Sequence, residues 1–295
     1  MDRQAGREVR GAALEQREGT VATEAYVGRM GAPPTGEDSQ AFWHDYLTRG
    51  DSFERRTRGV LRMLPHEPRC QLCAAPFAGP ASVVMRAIGK RPAAKNPHVC
   101  ASCFTFIERH HGGAEIEASF LVADVRGSTT LAEGLSPTAY RGLLDRFYAT
   151  AAACVIANGG GVDKFVGDEV VALFFPLMSG PRHPEHAVEA AQALLRATGH
   201  GDPGGPWIPV GAGVHTGLAW VGAVGDESHT EVTALGDTVN VTARLASAAG
   251  AGEILVTSAA AQAAGLDPRL ERRHLALKGK VQSTEVVSLR VQATA

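Results

Sequence analysis

The chain has 295 residues, of which 44% are hydrophobic and 20% charged, the balance of an ordinary globular protein with room for one large or two smaller domains. No apolar run reaches the ~18 residues that span a membrane, and the polar N-terminus lacks a secretory signal, so we expect a cytoplasmic protein with no membrane partner. The net charge of −2 is unevenly spread, because residues 49–109 carry eleven Lys and Arg against four Asp and Glu. That local excess predicts two regions with different roles.

The first part of the chain precedes any regular pattern. Residues 1–40 are rich in Gly, Glu, Arg and small residues and have no apolar period, which predicts a mobile N-terminal tail. A single helix is expected from about Gln40 to Met63. Together with four cysteines farther along, this helix forms a predicted N-terminal module over residues 41–112.

The four cysteines form two C-x-x-C pairs, Cys70 with Cys73 and Cys100 with Cys103, separated by 26 residues. Each pair can direct two thiolates at one tetrahedral ion, so the set predicts a zinc-ribbon-like site that binds Zn²⁺. An iron–sulfur cluster uses the same ligands, and two disulfides are a third alternative that a cytoplasmic location disfavours. The basic module could bind nucleic acid, but the stretch after Lys90 lacks the interleaved aromatic residues that stack on bases. We therefore favour a structural or regulatory role.

Beyond the cysteines, short apolar runs alternate with helical periods. Ser136 followed by Pro137 predicts the start of a helix, and Gly167-Asp168 predicts the turn of a hairpin. Two further strands and one helix are expected over 208–214, 218–224 and 237–249. This mixture predicts an α+β fold in which one sheet carries helices on one face.

Two aspartates lie where a ligand could reach them. Asp124 follows an apolar run and precedes a Gly-containing turn, whose backbone N–H groups can bind phosphate. Asp168 occupies the tip of the predicted hairpin. Two carboxylates together with substrate phosphates suit Mg²⁺, although either Asp alone is more commonly a turn former.

Five short motifs occur in order along the chain, at Phe120–Gly127, Lys164–Glu169, Gly213–Gly217, Leu235–Leu245 and Leu277–Lys280. Their set and order resemble the class III adenylate/guanylate cyclase catalytic domain over residues 117–291. The resemblance implies a ferredoxin-like sandwich, in which an antiparallel-rich sheet is combined with helices.

The resemblance also implies metal and phosphate sites. Asp124 and Asp168 match the aspartates that hold two divalent ions, Mg²⁺ or Mn²⁺, in each active site, and the main chain of Val125 contributes to the same site. The phosphate-binding loop then comprises Gly127, Ser128 and Thr129. Many members have an aromatic residue where this chain has Ser128. Since backbone N–H groups would bind the phosphate, we expect the loop to work.

Two further positions match the residues that recognise the purine. Lys164 and Thr233 look like the adenylate-cyclase variant in which Thr replaces the commoner Asp, whereas a guanylate cyclase typically has Glu in place of Lys164. A Lys can donate to adenine N1, but guanine N1 carries a hydrogen and needs an acceptor. The resemblance therefore implies conversion of ATP to 3′,5′-cyclic AMP and pyrophosphate. The alternatives are a cyclase for GTP or a pyrimidine nucleotide, and a non-catalytic regulator that senses nucleotide.

The remaining motifs imply transition-state and phosphate contacts. By the resemblance, Asn240 would orient the ribose and Arg244 would stabilise phosphate charge. Residues four apart on a helix share a face, so both side chains can project from the same side. Lys280, or alternatively Lys278, would bind the terminal phosphates. In the family the metal aspartates of one subunit face the Asn/Arg helix of the other. The resemblance therefore implies a head-to-tail homodimer with two shared sites.

Overall fold

The computed structural model describes residues 37–50, 52–64, 68–94, 97–109, 112–225, 230–277 and 283–291. The tail expected over 1–40 therefore falls almost wholly outside the described residues. The chain forms two compact units, one made mainly of residues before 114 and the other mainly of residues from 114 onward. In the described ranges, no helix combines the length and the apolar character that crossing a membrane requires.

The N-terminal unit contains four described helices, α1 (Glu37–Thr48), α2 (Ser52–Met63), α3 (Ala81–Ala87) and α4 (Ala101–Arg109). The prediction of one helix over 40–63 is wrong, because the chain turns at Gly50. This residue has φ 62°, a left-handed conformation that ends helices and that glycine adopts without steric cost. The aromatic residues of α1 pack around Phe106 of α4, with ring centroids 5.9 Å away for Trp43 and 5.2 Å for Tyr46.

The second unit is built on an eight-stranded mixed sheet. Its strands are β1 (Gly112–Val125), β2 (Gly161–Val166), β3 (Glu169–Phe174), β4 (Val210–Gly225), β5 (Thr230–Leu235), β6 (Glu253–Thr257), β7 (Arg272–Leu275) and β8 (Thr284–Arg290). The order across the sheet is β2-β3-β1-β4-β6-β8-β7, and β5 pairs with β4 outside that path. The pairings β1–β3, β2–β3, β6–β8 and β7–β8 are antiparallel, and β4–β6 is parallel. This is the mixed α+β fold expected from the sequence.

The helices of this unit are α5 (Ser128–Gly134), α6 (Pro137–Ala157), α7 (Pro176–Ser179), α8 (His183–Ala197), α9 (Asp237–Ala248) and α10 (Ser258–Ala263). The predicted start of α6 is confirmed, because the Ser136 side chain accepts a hydrogen bond from the Ala139 N–H and Pro137 occupies the first turn. The predicted hairpin at Gly167-Asp168 is confirmed as the turn between β2 and β3.

Helices cover both faces of the sheet, so the expectation of a single helical face is wrong. Leu121 and Ala123 of β1 pack in the cluster formed with α6 and α8, whereas Val122 packs with Ala246 of α9. Successive side chains of a strand point to opposite faces, which places α9 on the side opposite to α6 and α8. The run Phe120–Ala123 is buried throughout, as in strands that are covered on both faces.

Two strand predictions also need correction. The expected strands over 208–214 and 218–224 are one long strand, β4, and β5 was not predicted. Polar residues in the middle of β4 caused the false break. They have partners in the sheet, since His215 Nδ1 lies 2.8 Å from Thr257 Oγ1 and Thr216 Oγ1 lies 2.7 Å from Ser119 Oγ.

Candidate functional site

Asp124 and Asp168 are brought together at one end of the sheet. Asp124 is near the end of β1, opposite Glu169 in the antiparallel register with β3. Asp168 lies in the β2–β3 turn, and its carbonyl accepts a hydrogen bond of 3.3 Å from the Val125 N–H. Two carboxylates and the main chain of Val125 thus lie in one small region.

Three acidic side chains and one cation share this region. The Arg126 guanidinium donates to Asp124 Oδ2 and also to the Ser247 carbonyl, 2.9 Å away. Burial and the negative charge of Asp168 raise the pKa of Glu169, while Arg126 acts in the opposite direction. Clustered carboxylate and carbonyl oxygens are the donor set that Mg²⁺ or Mn²⁺ prefers, so these residues fit divalent ions.

A side chain of α6 holds the hairpin that carries Asp168. The Tyr148 hydroxyl donates to the Gly167 carbonyl, and its ring stacks on Phe165 with centroids 4.4 Å apart. Both contacts fix the turn at its base. No sequence motif singles out Tyr148, whose contacts with the turn become visible only in the structure.

The predicted phosphate loop joins β1 to α5. Gly127 has φ 69° and precedes α5, which begins at Ser128 and includes Thr129. A left-handed residue at this point suits glycine and turns the chain sharply away from the strand that carries Asp124.

The structure brings Lys164 and Thr233 together across β2 and β5. Lys164 Nζ donates to Thr233 Oγ1 over 2.8 Å. Thr233 Oγ1 in turn lies 3.1 Å from Asp163 Oδ2, and the Lys164 ammonium is 3.4 Å from the same carboxylate oxygen. The side chain of Asp163 is only 1% exposed. Sequence reasoning did not single out Asp163.

Asn240 and Arg244 both lie on α9, one turn apart. Asn240 is exposed and Arg244 is half-buried. Among the described residues, Arg244 Nη1 is buried and has no hydrogen-bond partner. Lys280 and Lys278, the two predicted phosphate ligands, lie outside the described residues.

The helix α9 lies unusually close to β4 at Gly213. A Cβ atom added there would be 2.6 Å from both the Ala246 nitrogen and the Thr242 carbonyl oxygen. Only glycine permits that approach, since such distances are well inside van der Waals contact. The glycine of the third motif therefore sets the position of the helix that carries Asn240 and Arg244.

The four predicted metal ligands of the N-terminal unit converge on one point. Cys70, Cys73, Cys100 and Cys103 are free thiols whose sulfur atoms all lie within 4.8 Å of one another. The sulfurs of Cys73 and Cys100 are 3.7 Å apart. Four sulfurs arranged as a tetrahedron around one zinc, with Zn–S bonds of ~2.3 Å, lie about 3.8 Å from one another. In an iron–sulfur cluster the cysteine sulfurs are divided among several iron atoms, and those on different irons are therefore farther apart. The spacing fits a single ion, and the group could hold a metal.

Cations surround the cysteine cluster. Lys90 Nζ lies 3.6 Å from Cys73 Sγ, and hydrogen bonds from the other cysteines together with this ammonium lower the pKa of the Cys73 thiol. Burial alone would lower the pKa of Lys90, but the adjacent thiolates raise it above its usual value. Arg58 donates to the Leu72 carbonyl between the first two ligands, at 2.6 Å. This positive surrounding suits an anionic tetrathiolate centre.

Comparison with known proteins places this fold and site in a family. Residues 114–288 match the model of the adenylate and guanylate cyclase catalytic domain. The chain therefore belongs to the class III cyclase family.

Individual relatives agree with that assignment. The chain is 35% identical over 149 residues to "Adenylate cyclase 1" of Rhizobium meliloti, covering 46% of this chain and 22% of that protein. It is 33% identical over 136 residues to an adenylate cyclase of Anabaena cylindrica, covering 43% and 26%. The matched part is thus about a quarter of the length of these curated relatives.

Solved structures give the same result. The guanylyl cyclase Cya2 is 27% identical with a TM-score of 0.54, and the match covers 60% of this chain and 93% of that one. The adenylyl cyclase CyaB of P. aeruginosa is 27% identical with a TM-score of 0.52, over 62% and 97% of the two chains.

Proposed function

We propose that the protein is an adenylate cyclase that converts ATP to 3′,5′-cyclic AMP and pyrophosphate. The observation that carries the ATP assignment is the hydrogen bond of 2.8 Å between Lys164 and Thr233. The ammonium is a donor for adenine N1, and the threonine oxygen can accept from the adenine amino group. Guanine presents a donor at N1 and an acceptor at O6, so this pair is mismatched to GTP.

The reaction joins the ribose 3′-oxygen to the α-phosphorus. The bond from that phosphorus to the bridging oxygen breaks, pyrophosphate leaves and the 3′-hydroxyl loses its proton. Two divalent ions, bound by Asp124 and Asp168, would supply activation of the hydroxyl and charge neutralisation of the triphosphate. The loop at 127–129 would bind phosphate oxygens through its N–H groups, and Lys280 would hold the terminal phosphates.

Asn240 and Arg244 would complete the site from a second copy of the chain. We propose a head-to-tail homodimer in which the two aspartates of one chain face α9 of the partner. The buried, unpartnered Nη1 of Arg244 in the described part of the chain supports this arrangement. A buried guanidinium N–H without an acceptor is costly, and a phosphate oxygen would supply one.

The nucleotide assignment is tested by incubating the purified protein with ATP, GTP, CTP and UTP in Mg²⁺ and in Mn²⁺. We expect cyclic AMP as the dominant product. Dominant cyclic GMP, or a cyclic pyrimidine nucleotide, would overturn the ATP assignment. Nucleotide binding without any cyclic product would favour a regulator instead.

We further propose that the four cysteines bind one Zn²⁺, and that residues 41–112 form a structural or regulatory module preceding the catalytic domain at 117–291. The sulfur spacing supports a single tetrahedral ion. Elemental analysis of the protein purified without added metal should give one zinc per chain. Iron with acid-labile sulfide would contradict zinc and indicate a cluster.

A further inference from the structure

A buried carboxylate lies beside the pair proposed to recognise adenine. The side chain of Asp163 is 1% exposed and directly precedes Lys164 on β2. A buried charge needs partners, and those of Asp163 Oδ2 include the Thr233 hydroxyl at 3.1 Å and the Lys164 ammonium at 3.4 Å. The carboxylate is therefore in direct contact with both residues.

An irregularity in β2 makes this contact possible. Neighbouring residues of a regular strand point to opposite faces, so Asp163 and Lys164 would normally diverge. The register of β2 against β3 shifts between Val162 and Lys164. A bulge of this kind re-aims side chains, and here two consecutive residues reach the same threonine on β5.

The three groups fix the direction of their hydrogen bonds. A lysine ammonium can only donate and an ionised carboxylate can only accept, so the single hydroxyl proton of Thr233 must point to Asp163. The Thr233 oxygen then accepts from Lys164 with one lone pair and has a second lone pair for an external donor. Without the carboxylate, the hydroxyl could rotate and donate its proton to an incoming base.

We propose that Asp163 is a positioning residue that keeps Thr233 a hydrogen-bond acceptor and thereby sets the preference for adenine over guanine. This inference rests on the proposed cyclase function and deepens it. The adenine amino group can donate to the fixed acceptor, whereas guanine O6 would meet a second acceptor. Asp163 acts through Thr233 and does not itself contact the base.

The test is the ATP-to-GTP ratio of kcat/KM in the Asp163→Asn variant. An amide is nearly isosteric but carries both a donor and an acceptor, so it no longer dictates the hydroxyl direction. One hydrogen bond is worth a factor of about ten, and we expect the ratio to fall by that factor. Since both nucleotides are assayed on the same sample, a partial loss of folded protein cancels from the ratio.

Three further variants separate positioning from a general effect of charge or stability. Asp267→Asn removes the same charge from an exposed ion pair with Arg269 and should leave the ratio unchanged. Thr233→Val should lower the ratio by itself, and adding Asp163→Asn to it should have no further effect. Thr233→Asp in the Asp163→Asn background restores a fixed acceptor and should recover the preference for ATP.

Two failures are distinguishable. If the wild-type protein prefers GTP, the proposed ATP specificity fails whatever the variants do. If it prefers ATP and Asp163→Asn keeps the wild-type ratio, or still lowers it in the Thr233→Val background, the role of Asp163 is refuted. Affinities for unreactive ATP and GTP analogues, measured in parallel, apply the same test to a protein without turnover.

Discussion

Gly213 allows α9 to pack against β4, and its replacement by alanine gives a direct test of how the helix that carries Asn240 and Arg244 is positioned. The new methyl group would be 2.6 Å from two backbone atoms of α9 and 2.7 Å from the Leu245 Cβ. Ordinary contact begins at 3.4 Å, so the helix must move by roughly 0.8 Å, because backbone atoms cannot rotate away as a flexible side chain can.

Both stability and activity should respond. Overpacking of this size costs about 1–3 kcal/mol of unfolding free energy. A displacement approaching 1 Å at a catalytic group costs about 100-fold in rate, and the proposed catalytic residues Asn240 and Arg244 would move with α9. Urea unfolding and cyclic nucleotide formation measure the two effects separately.

The matched control is Gly142→Ala on α6. A methyl group there meets nothing within 4 Å, and alanine in a helix is more stable than glycine by about 0.5–1 kcal/mol. This variant should gain slight stability and keep its activity. If Gly213→Ala matched Gly142→Ala in both stability and activity, the close packing of α9 on β4 would not be what positions Asn240 and Arg244.

Asp124→Ala and Arg244→Ala should each be inactive. An equimolar mixture of the two variants should recover up to about one quarter of wild-type activity, since half of the dimers are mixed and each mixed dimer has one intact site out of two. No recovery, despite heterodimers detected by native mass spectrometry, would refute shared sites. Removing metal with a strong chelator should raise the rate of amide hydrogen exchange in residues 97–109, because Cys100 and Cys103 anchor the start of α4. Added Zn²⁺ should reverse the change. Protection from exchange that survives complete metal loss would contradict a role of the metal in holding α4. Burial, together with the nearby His186, lowers the pKa of His183 to about 4 from 6.5. As pH falls, the His183 imidazole therefore becomes protonated in the unfolded chain before it does so in the folded protein. The free energy of unfolding should then drop by roughly 2–3 kcal/mol between pH 6.5 and 4. The Asn variant of His183 should flatten the unfolding profile over that range, and an unchanged slope would exclude this histidine as the cause.

Features specified by neighbouring residues were predictable from the sequence. Ser136 and Pro137 cap α6 locally, and Gly167 supplies a left-handed turn residue between two apolar runs. The convergence of the cysteines was predictable from ligand chemistry, because two C-x-x-C pairs that serve one ion have to reach the same point. None of these inferences required knowledge of distant contacts.

Features that depend on tertiary contacts were mispredicted. The polar centre of β4 resembles a loop until Ser119 and Thr257 provide its hydrogen-bond partners. The placement of α9 on the second face depends on Gly213, whose importance appears only when the helix lies against it. Strand β5 is short and contains polar residues, so its pairing with β4 has little local signal.

Asp163 is the most consequential residue whose position could not be predicted from the local sequence. Strand alternation assigns neighbouring residues to opposite faces, so the sequence around Lys164 gives no indication that Asp163 lies on the same side. The register shift in β2 reverses that assignment by directing both side chains to Thr233. A buried carboxylate beside Thr233 directs the hydroxyl proton of that residue, and the position of this proton would decide whether Thr233 can accept a hydrogen bond from a base. We therefore expect base recognition at the proposed site to depend on Asp163 as well as on the Lys164/Thr233 pair.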